Sequence, residues 1–197
     1  MEQLVIRGGN RLEGSLRIGG AKNAALPVLA ATVLATEPCT VVDVPPLLDV
    51  TVMCEILQAL GVQVAEHETD HLRCLDIDPT EVRTTVVPPD LMRRMRSSIF
   101  LMGPLLSRFG QVQVSYPGGC AIGPRPIDLH LKGLNALGAE IMEKGGEIFA
   151  RATKLHGADI HLDTPSVGAT ENIMMAAVLA QGQTILRHAA NAPEIVD

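Results

Sequence analysis

The sequence predicts an α/β protein built from repeated units whose helices are buried, and three observations carry that reading. Short β-branched runs alternate with segments of helical period. One of the helical segments, residues 24–35, is alanine-rich and almost wholly apolar, a composition suited to an interior helix. The order also recurs. Leu57-Gln-Ala-Leu-Gly61 returns as Leu134-Asn-Ala-Leu-Gly138, Thr32-Val-Leu-Ala35 as Ala177-Val-Leu-Ala180, and Pro45 to Asp49 is echoed by Pro193 to Asp197. Three passes of about 75 residues each are longer than a common solenoid repeat but too similar for coincidence.

Taken in order, residues 4–7 and 12–18 read as two short strands around the turn-rich Gly8-Gly9-Asn10. The apolar helix follows, with Asn23 as its expected N-cap and Pro27 inside its first turn. A strand over 39–44 ends at Pro45-Pro46. Asp49 opens an amphipathic helix, with Val52, Ile56, Leu57 and Leu60 on one face, which Gly61 stops. Strands are expected at 62–64 and 72–77, then a polar link through Pro79 and Pro88-Pro89. The second pass begins with a helix near Arg96-Ser97-Ser98, continues as a strand at 112–114, and reaches a helix opening at Asp128. The third starts at Ser166 and includes a strand at 184–186. The units span about 21–78, 90–162 and 163–197. By the earlier copies Asp197 should open a further helix ending in Leu-Gly, so the reading expects a longer working protein.

Composition narrows the function. With 47% hydrophobic and 19% charged residues among 197, the chain suits a soluble globular protein with a sizeable core. One Tyr, three Phe and no Trp leave no stacking surface for single-stranded nucleic acid, and a net charge of -6 disfavours a phosphate-backbone binder. Cys39, Cys54, Cys74 and Cys120 form no C-x-x-C pair and have no histidine at zinc spacing, so no disulfide framework, metal or other cofactor is expected, and a reducing cytoplasm fits. The N-terminus carries no export signal, and no apolar run is long enough to cross a bilayer.

The chemistry concentrates in Tyr116-Pro-Gly-Gly-Cys120-Ala-Ile-Gly-Pro-Arg125-Pro-Ile-Asp-Leu-His130. Its glycines and prolines forbid a regular helix or inner strand, which puts Cys120 on a loop tip. A free cysteine is often a small apolar filler, but a loop flanked by glycines has little core to fill. Arg125 favours the thiolate and offers a planar fork to phosphate or carboxylate. His130 is expected to make a local hydrogen bond rather than to serve as a catalytic base, and Asp49 and Asp128 to cap helices. The helix starts at Lys22-Asn23, Arg96-Ser97-Ser98 and Ser166-Val167-Gly168 carry unpaired N–H groups. Related by an approximate three-fold axis, they could converge into an anion site with Lys22 and Arg96 supplying full charges.

Several of these segments resemble one family. Gly20-Ala-Lys22-Asn23-Ala-Ala-Leu-Pro27, Met95-Arg96-x-Ser98, Gly103-Pro-Leu-Leu106, the Cys120 loop, Ser166-Val-Gly-Ala-Thr170 and Pro193-Glu-Ile-Val-Asp197 are similar to the UDP-N-acetylglucosamine 1-carboxyvinyltransferases, over about the first half of that family. The resemblance implies the inside-out α/β barrel of the enolpyruvyl transferases: two domains of three repeated units each, helices inside, and an active site in the cleft between them. Residues 1–20 would belong to the second domain, whose remainder, the C-terminal half, would be the partner of residues 21–197. The implied reaction moves the enolpyruvyl group of phosphoenolpyruvate onto the 3-hydroxyl of UDP-N-acetylglucosamine with release of phosphate.

By the same resemblance Cys120 would protonate the enol methylene and could hold phosphoenolpyruvate as an adduct. Lys22 and Arg125 would grip the phosphoenolpyruvate, Asn23 the sugar, and Arg96 the nucleotide sugar. Arg125, Pro126, Ile127, Asp128 and Leu129 would line the uridine site, while Ser166 and Val167, with Gly168 beside them, would meet the diphosphate. Thr164 stands where some relatives carry a lysine. The family's aspartate base and two further arginines have no counterpart here, so residues 1–197 alone are expected to show no turnover. The alternatives are the shikimate-pathway enolpyruvyl transferase, which lacks the Pro-Gly-Gly-Cys loop, and a non-catalytic remnant that binds UDP-sugar.

Overall fold

The computed structural model describes residues 3–117 and 127–196. The first unit runs α1 (Lys22–Ala31, continued by a 3₁₀ turn Thr32–Leu34), β1 (Cys39–Val41), α2 (Leu48–Leu60), β2 (Gln63–Thr69) and β3 (Leu72–Asp78). The second has α3 (Pro89–Arg94), a 3₁₀ segment (Arg96–Leu101), α4 (Met102–Phe109), β4 (Gln111–Ser115), α5 (Asp128–Ala136), β5 (Glu140–Lys144) and β6 (Glu147–Arg151). After β7 (Asp159–His161), at the end of the second segment, come α6 (Val167–Ala177), β8 (Ile185–Arg187) and α7 (Pro193–Val196). The first two units form antiparallel sheets of identical plan, β1-β3-β2 and β4-β6-β5. β7 pairs with β8 in parallel, and Val86 meets Gln113 the same way.

The repeated Leu-x-Ala-Leu-Gly phrase is a helix stop. Gly61 sits at φ 103° after α2, with its N–H donating to Gln58 O at 3.0 Å and that of Val62 to Leu57 O at 3.0 Å. Gly138 does the same after α5, at φ 97°, with Gly138 N–H to Asn135 O at 2.9 Å and Ala139 N–H to Leu134 O at 3.1 Å. Both are Schellman turns, in which only glycine takes the left-handed residue without steric cost, and the buried Leu57–Val62 and Leu134–Ala139 pairs lie beneath them.

Helices fill the interior. Leu26, Leu29 and Ala30 of α1, Met102, Leu105 and Leu106 of α4, and Ala169, Ile173 and Ala176 of α6 join one continuous core with α2 and the inner faces of the sheets. Burying each large aliphatic side chain stabilises the fold by about 1.5–3 kcal/mol. α4 and α6 approach closely at Gly103, where a Cβ would fall 2.3 Å from the Asn172 carbonyl oxygen.

Several expectations are corrected. Residues 4–7 and 12–18 form no strand: Leu4, Val5, Ile6, Leu12, Leu16 and Ile18 stand 79–93% exposed, because nothing among the described residues covers them. Asn23 is not a cap, since α1 begins at Lys22 with Ala21 before it. Pro27 therefore falls in the second turn, where its missing N–H frees the Asn23 carbonyl. Asp49 and Asp128 lie inside the first turns of α2 and α5 without capping them. The helix placed at Arg96 opens as 3₁₀ and turns α-helical only at Met102, and the polar link before it contains α3.

Candidate functional site

The starts of the inner helices do meet, at a cavity of about 670 Å³ lined by Asn23, Leu26, Arg96, Ser97, Phe100, Asp128, Leu129, His130, Asp163, Thr164, Ser166, Val167, Gly168 and Glu171 among others. That is the size of a small-molecule site. Of the residues singled out in the sequence, Asn23, Arg96, Asp128, Leu129, Ser166, Val167 and Gly168 share this one wall. Ile127, buried, immediately precedes α5 and does not line the cavity. Cys120, Arg125 and Pro126 lie outside the described residues.

Lys22 departs from the expected arrangement. It is the first residue of α1 but does not line the cavity, and its Nζ donates to Asp49 Oδ2 at 2.5 Å. Half-exposed, the pair contributes little to stability.

Among the described residues, the start of α6 offers a geometry that an anion could use. Ser166 Oγ accepts from the Ala169 N–H at 3.3 Å, and Ser166 O accepts from Thr170 N–H at 2.9 Å. The N–H groups of Val167 and Gly168 are thereby left outside the helical ladder, at the positive end of the helix dipole. At Gly168 the helix start packs closely on two rings: a Cβ there would sit 3.0 Å from Phe100 Cε1 and 3.4 Å from His130 Cε1.

His130 is a fixed, neutral group. Burial, with the nearby Arg96 charge reinforcing it, lowers its pKa to about 4. Its partner is not local: Asn172 Nδ2 lies 3.0 Å from Nδ1. Asn172, fully buried, also donates to Ile99 O at 3.1 Å and accepts from Gly103 N–H at 2.7 Å, so every polar atom of its amide is used. One side chain thus ties α6 to the 3₁₀ segment, α4 and α5.

Sequence reasoning missed Glu171, Asn172, Phe100 and Asp163. The first two had a visible signal, a Glu-Asn pair inside the otherwise apolar run of α6. Asp163 accepts from Lys132 Nζ at 2.8 and 2.9 Å beside Thr164. Among the described residues no group of three or more His, Cys, Asp or Glu could hold a metal ion, and no helix is long and apolar enough to cross a membrane.

The sequence pattern of EPSP synthase (3-phosphoshikimate 1-carboxyvinyltransferase) matches residues 6–197. The chain belongs to the EPSP synthase family. Within this family its likeness is sharper: it is 51% identical over 198 residues to the UDP-N-acetylglucosamine 1-carboxyvinyltransferase of Saccharophagus degradans. It is 52% identical over 197 residues to UDP-N-acetylglucosamine 1-carboxyvinyltransferase 1 of Carboxydothermus hydrogenoformans. Both alignments cover 100% of this chain and 46% of the relative, so the chain spans about half the length of the curated relatives it matches. Among solved structures, the enolpyruvyl transferase NikO of Streptomyces tendae superposes with a TM-score of 0.78 at 24% identity, over 96% of this chain and 44% of that one. An EPSP synthase of Acinetobacter baumannii gives 0.69 at 16% identity, over 93% and 42%. These likenesses establish the fold as that of the enolpyruvyl transferases.

Proposed function

We propose that the chain is the nucleotide-sugar-binding half of a UDP-N-acetylglucosamine 1-carboxyvinyltransferase. The observation that carries this is the convergence of Asn23, Arg96, Asp128, Leu129 and the open start of α6 on one cavity, in a chain 51–52% identical to relatives of that name. The diphosphate sits on the Val167 and Gly168 N–H groups with Ser166 beside them. Arg96 adds full positive charge, Asn23 meets the sugar, and Arg125, Pro126, Ile127, Asp128 and Leu129 surround the uridine.

Phosphoenolpyruvate binds next to the sugar, held by Arg125 and by Lys22 once it leaves Asp49. Cys120 delivers a proton to the methylene carbon as the 3-hydroxyl oxygen, giving up its own proton to a base supplied by the C-terminal half, bonds the adjacent carbon. The resulting tetrahedral intermediate then loses phosphate and a proton to restore the enol ether. Two anionic substrates meeting in one cleft need the cations and helix starts that surround it. A C-terminal half completes the cleft, and the exposed apolar residues 4–18 pair with it. The enzyme acts in the cytoplasm in the first committed step of peptidoglycan synthesis.

Calorimetry with UDP-N-acetylglucosamine tests the binding half: heat of binding that Ser166→Ala and Arg96→Ala weaken is expected, and no binding overturns the reading. Purified residues 1–197 with both substrates are expected to release no phosphate; turnover would overturn the need for a second half. The shikimate-pathway alternative is less favoured, since the relatives at 51–52% identity carry the UDP-N-acetylglucosamine name.

A further inference from the structure

Glu171 has no task in the reaction above, yet its placement calls for one. It lies one helical turn beyond Val167 on the same face of α6, and both residues line the cavity. The residue is 7% exposed, and both carboxylate oxygens are buried with no hydrogen-bond partner among the described residues. A buried, unpaired carboxylate is costly, so the environment favours the neutral acid. The negative charge of Glu194 of α7 pushes the same way, and burial first and Glu194 second raise the carboxyl's pKa to about 7.

The other charged groups on the elements packed around α6 are committed elsewhere or lie across the cavity. Lys22 of α1 is held by Asp49, Lys132 of α5 by Asp163, and Arg108 of α4 by the Val33 and Pro79 carbonyls. Arg96 and Asp128 act on His130, which stays neutral down to about pH 4 and so does not titrate near neutrality. Within the described part of this wall, Glu171 is the group poised to change charge near pH 7.

We propose that Glu171 is a proton-coupled part of the anion site: its carboxyl takes up a proton from solvent when an anionic phosphate ligand settles on the start of α6. The inference rests on the reading that this cavity takes a phosphorylated ligand. Its physical basis is repulsion, since negative charge one turn away disfavours the ionised carboxyl and linkage makes proton uptake part of binding. Affinity therefore falls as pH rises through neutrality, by up to about tenfold per pH unit.

Calorimetry near pH 7.5 in two buffers of different ionisation heat measures the proton uptake on the unaltered protein, using UDP-N-acetylglucosamine, whose diphosphate does not titrate there, and inorganic sulfate as a second probe. Uptake of about half a proton per ligand is expected. In Glu171→Gln the uptake should vanish and the affinity become flat with pH. Sulfate binding with uptake, without UDP-N-acetylglucosamine binding, would support the proton coupling and remove the nucleotide-sugar reading. Binding of UDP-N-acetylglucosamine with no proton exchange would overturn the coupling and leave that reading standing, and sulfate binding alone with no exchange would overturn both. A protein that binds neither overturns both.

Discussion

Asn172 Nδ2 stands 3.0 Å from His130 Nδ1, and that contact decides which imidazole nitrogen carries the proton. The Asn172 oxygen is occupied by the Gly103 N–H, and its other N–H donates to Ile99 O, so the amide must donate to His130. Nδ1 accepts and the proton resides on Nε2. Nitrogen-15 NMR is expected to show the Nε2–H tautomer throughout the neutral range. Asn172→Leu takes away the partner of the Gly103 N–H and of His130 Nδ1, while Ile99 O keeps the Met102 N–H, and is expected to cost about 2 kcal/mol or more in urea unfolding.

His130 also makes the fold acid-sensitive. Its folded pKa of about 4 lies below the ordinary 6.5, so as pH falls through 6.5 the unfolded chain takes up a proton that the folded chain refuses. Stability should decline between pH 6.5 and 4, by about 3 kcal/mol in all, and be flat from this source above pH 7. Urea unfolding against pH checks the slope, and His130→Gln should remove it.

Glu171 acts in the opposite direction. Its folded pKa of about 7 exceeds the ordinary 4.5, so the stability tied to its proton is full below pH 4.5 and is lost as pH rises through 7. Glu171→Gln is therefore expected to match the parent protein near pH 4.5. At pH 8 it should be more stable by on the order of 2 kcal/mol, allowing for solvent screening. Thermal melts at the two pH values check this.

The two Schellman glycines should differ in their tolerance of alanine. Gly138 has nothing within 3.9 Å of a built Cβ, so Gly138→Ala meets only the left-handed backbone penalty, about 1 kcal/mol. At Gly61 the Cβ would lie 2.7 Å from Glu81 O and 2.9 Å from Arg83 N, so Gly61→Ala should cost at least twice as much. Chemical denaturation of the two variants separates these terms.

The architecture was legible because repeated phrases encode local physics. Leu-x-Ala-Leu-Gly spells a Schellman stop twice, and the apolar run of α1 announces an interior helix. Residues 4–18 misled because β-branched alternation shows what a segment can pair as, and no strand in the described chain lies beside it. Ser166 was readable because a cap acts within one turn. Asn172 and Glu171 stood out as a polar pair in an apolar run, but their roles were not readable because they depend on His130 and Glu194, 42 and 23 residues away in the chain. Lys22 was placed correctly along the chain, but its ion pair with Asp49 of α2 is a tertiary contact that no local pattern reports.

The account's central claim is that the inner-helix starts form one nucleotide-sugar site. Backbone amide NMR during titration with UDP-N-acetylglucosamine tests it most directly. The predicted result is a saturable shift concentrated at Asn23, Val167, Gly168 and Ala169. Shifts confined to another face, or none at millimolar ligand, would contradict it.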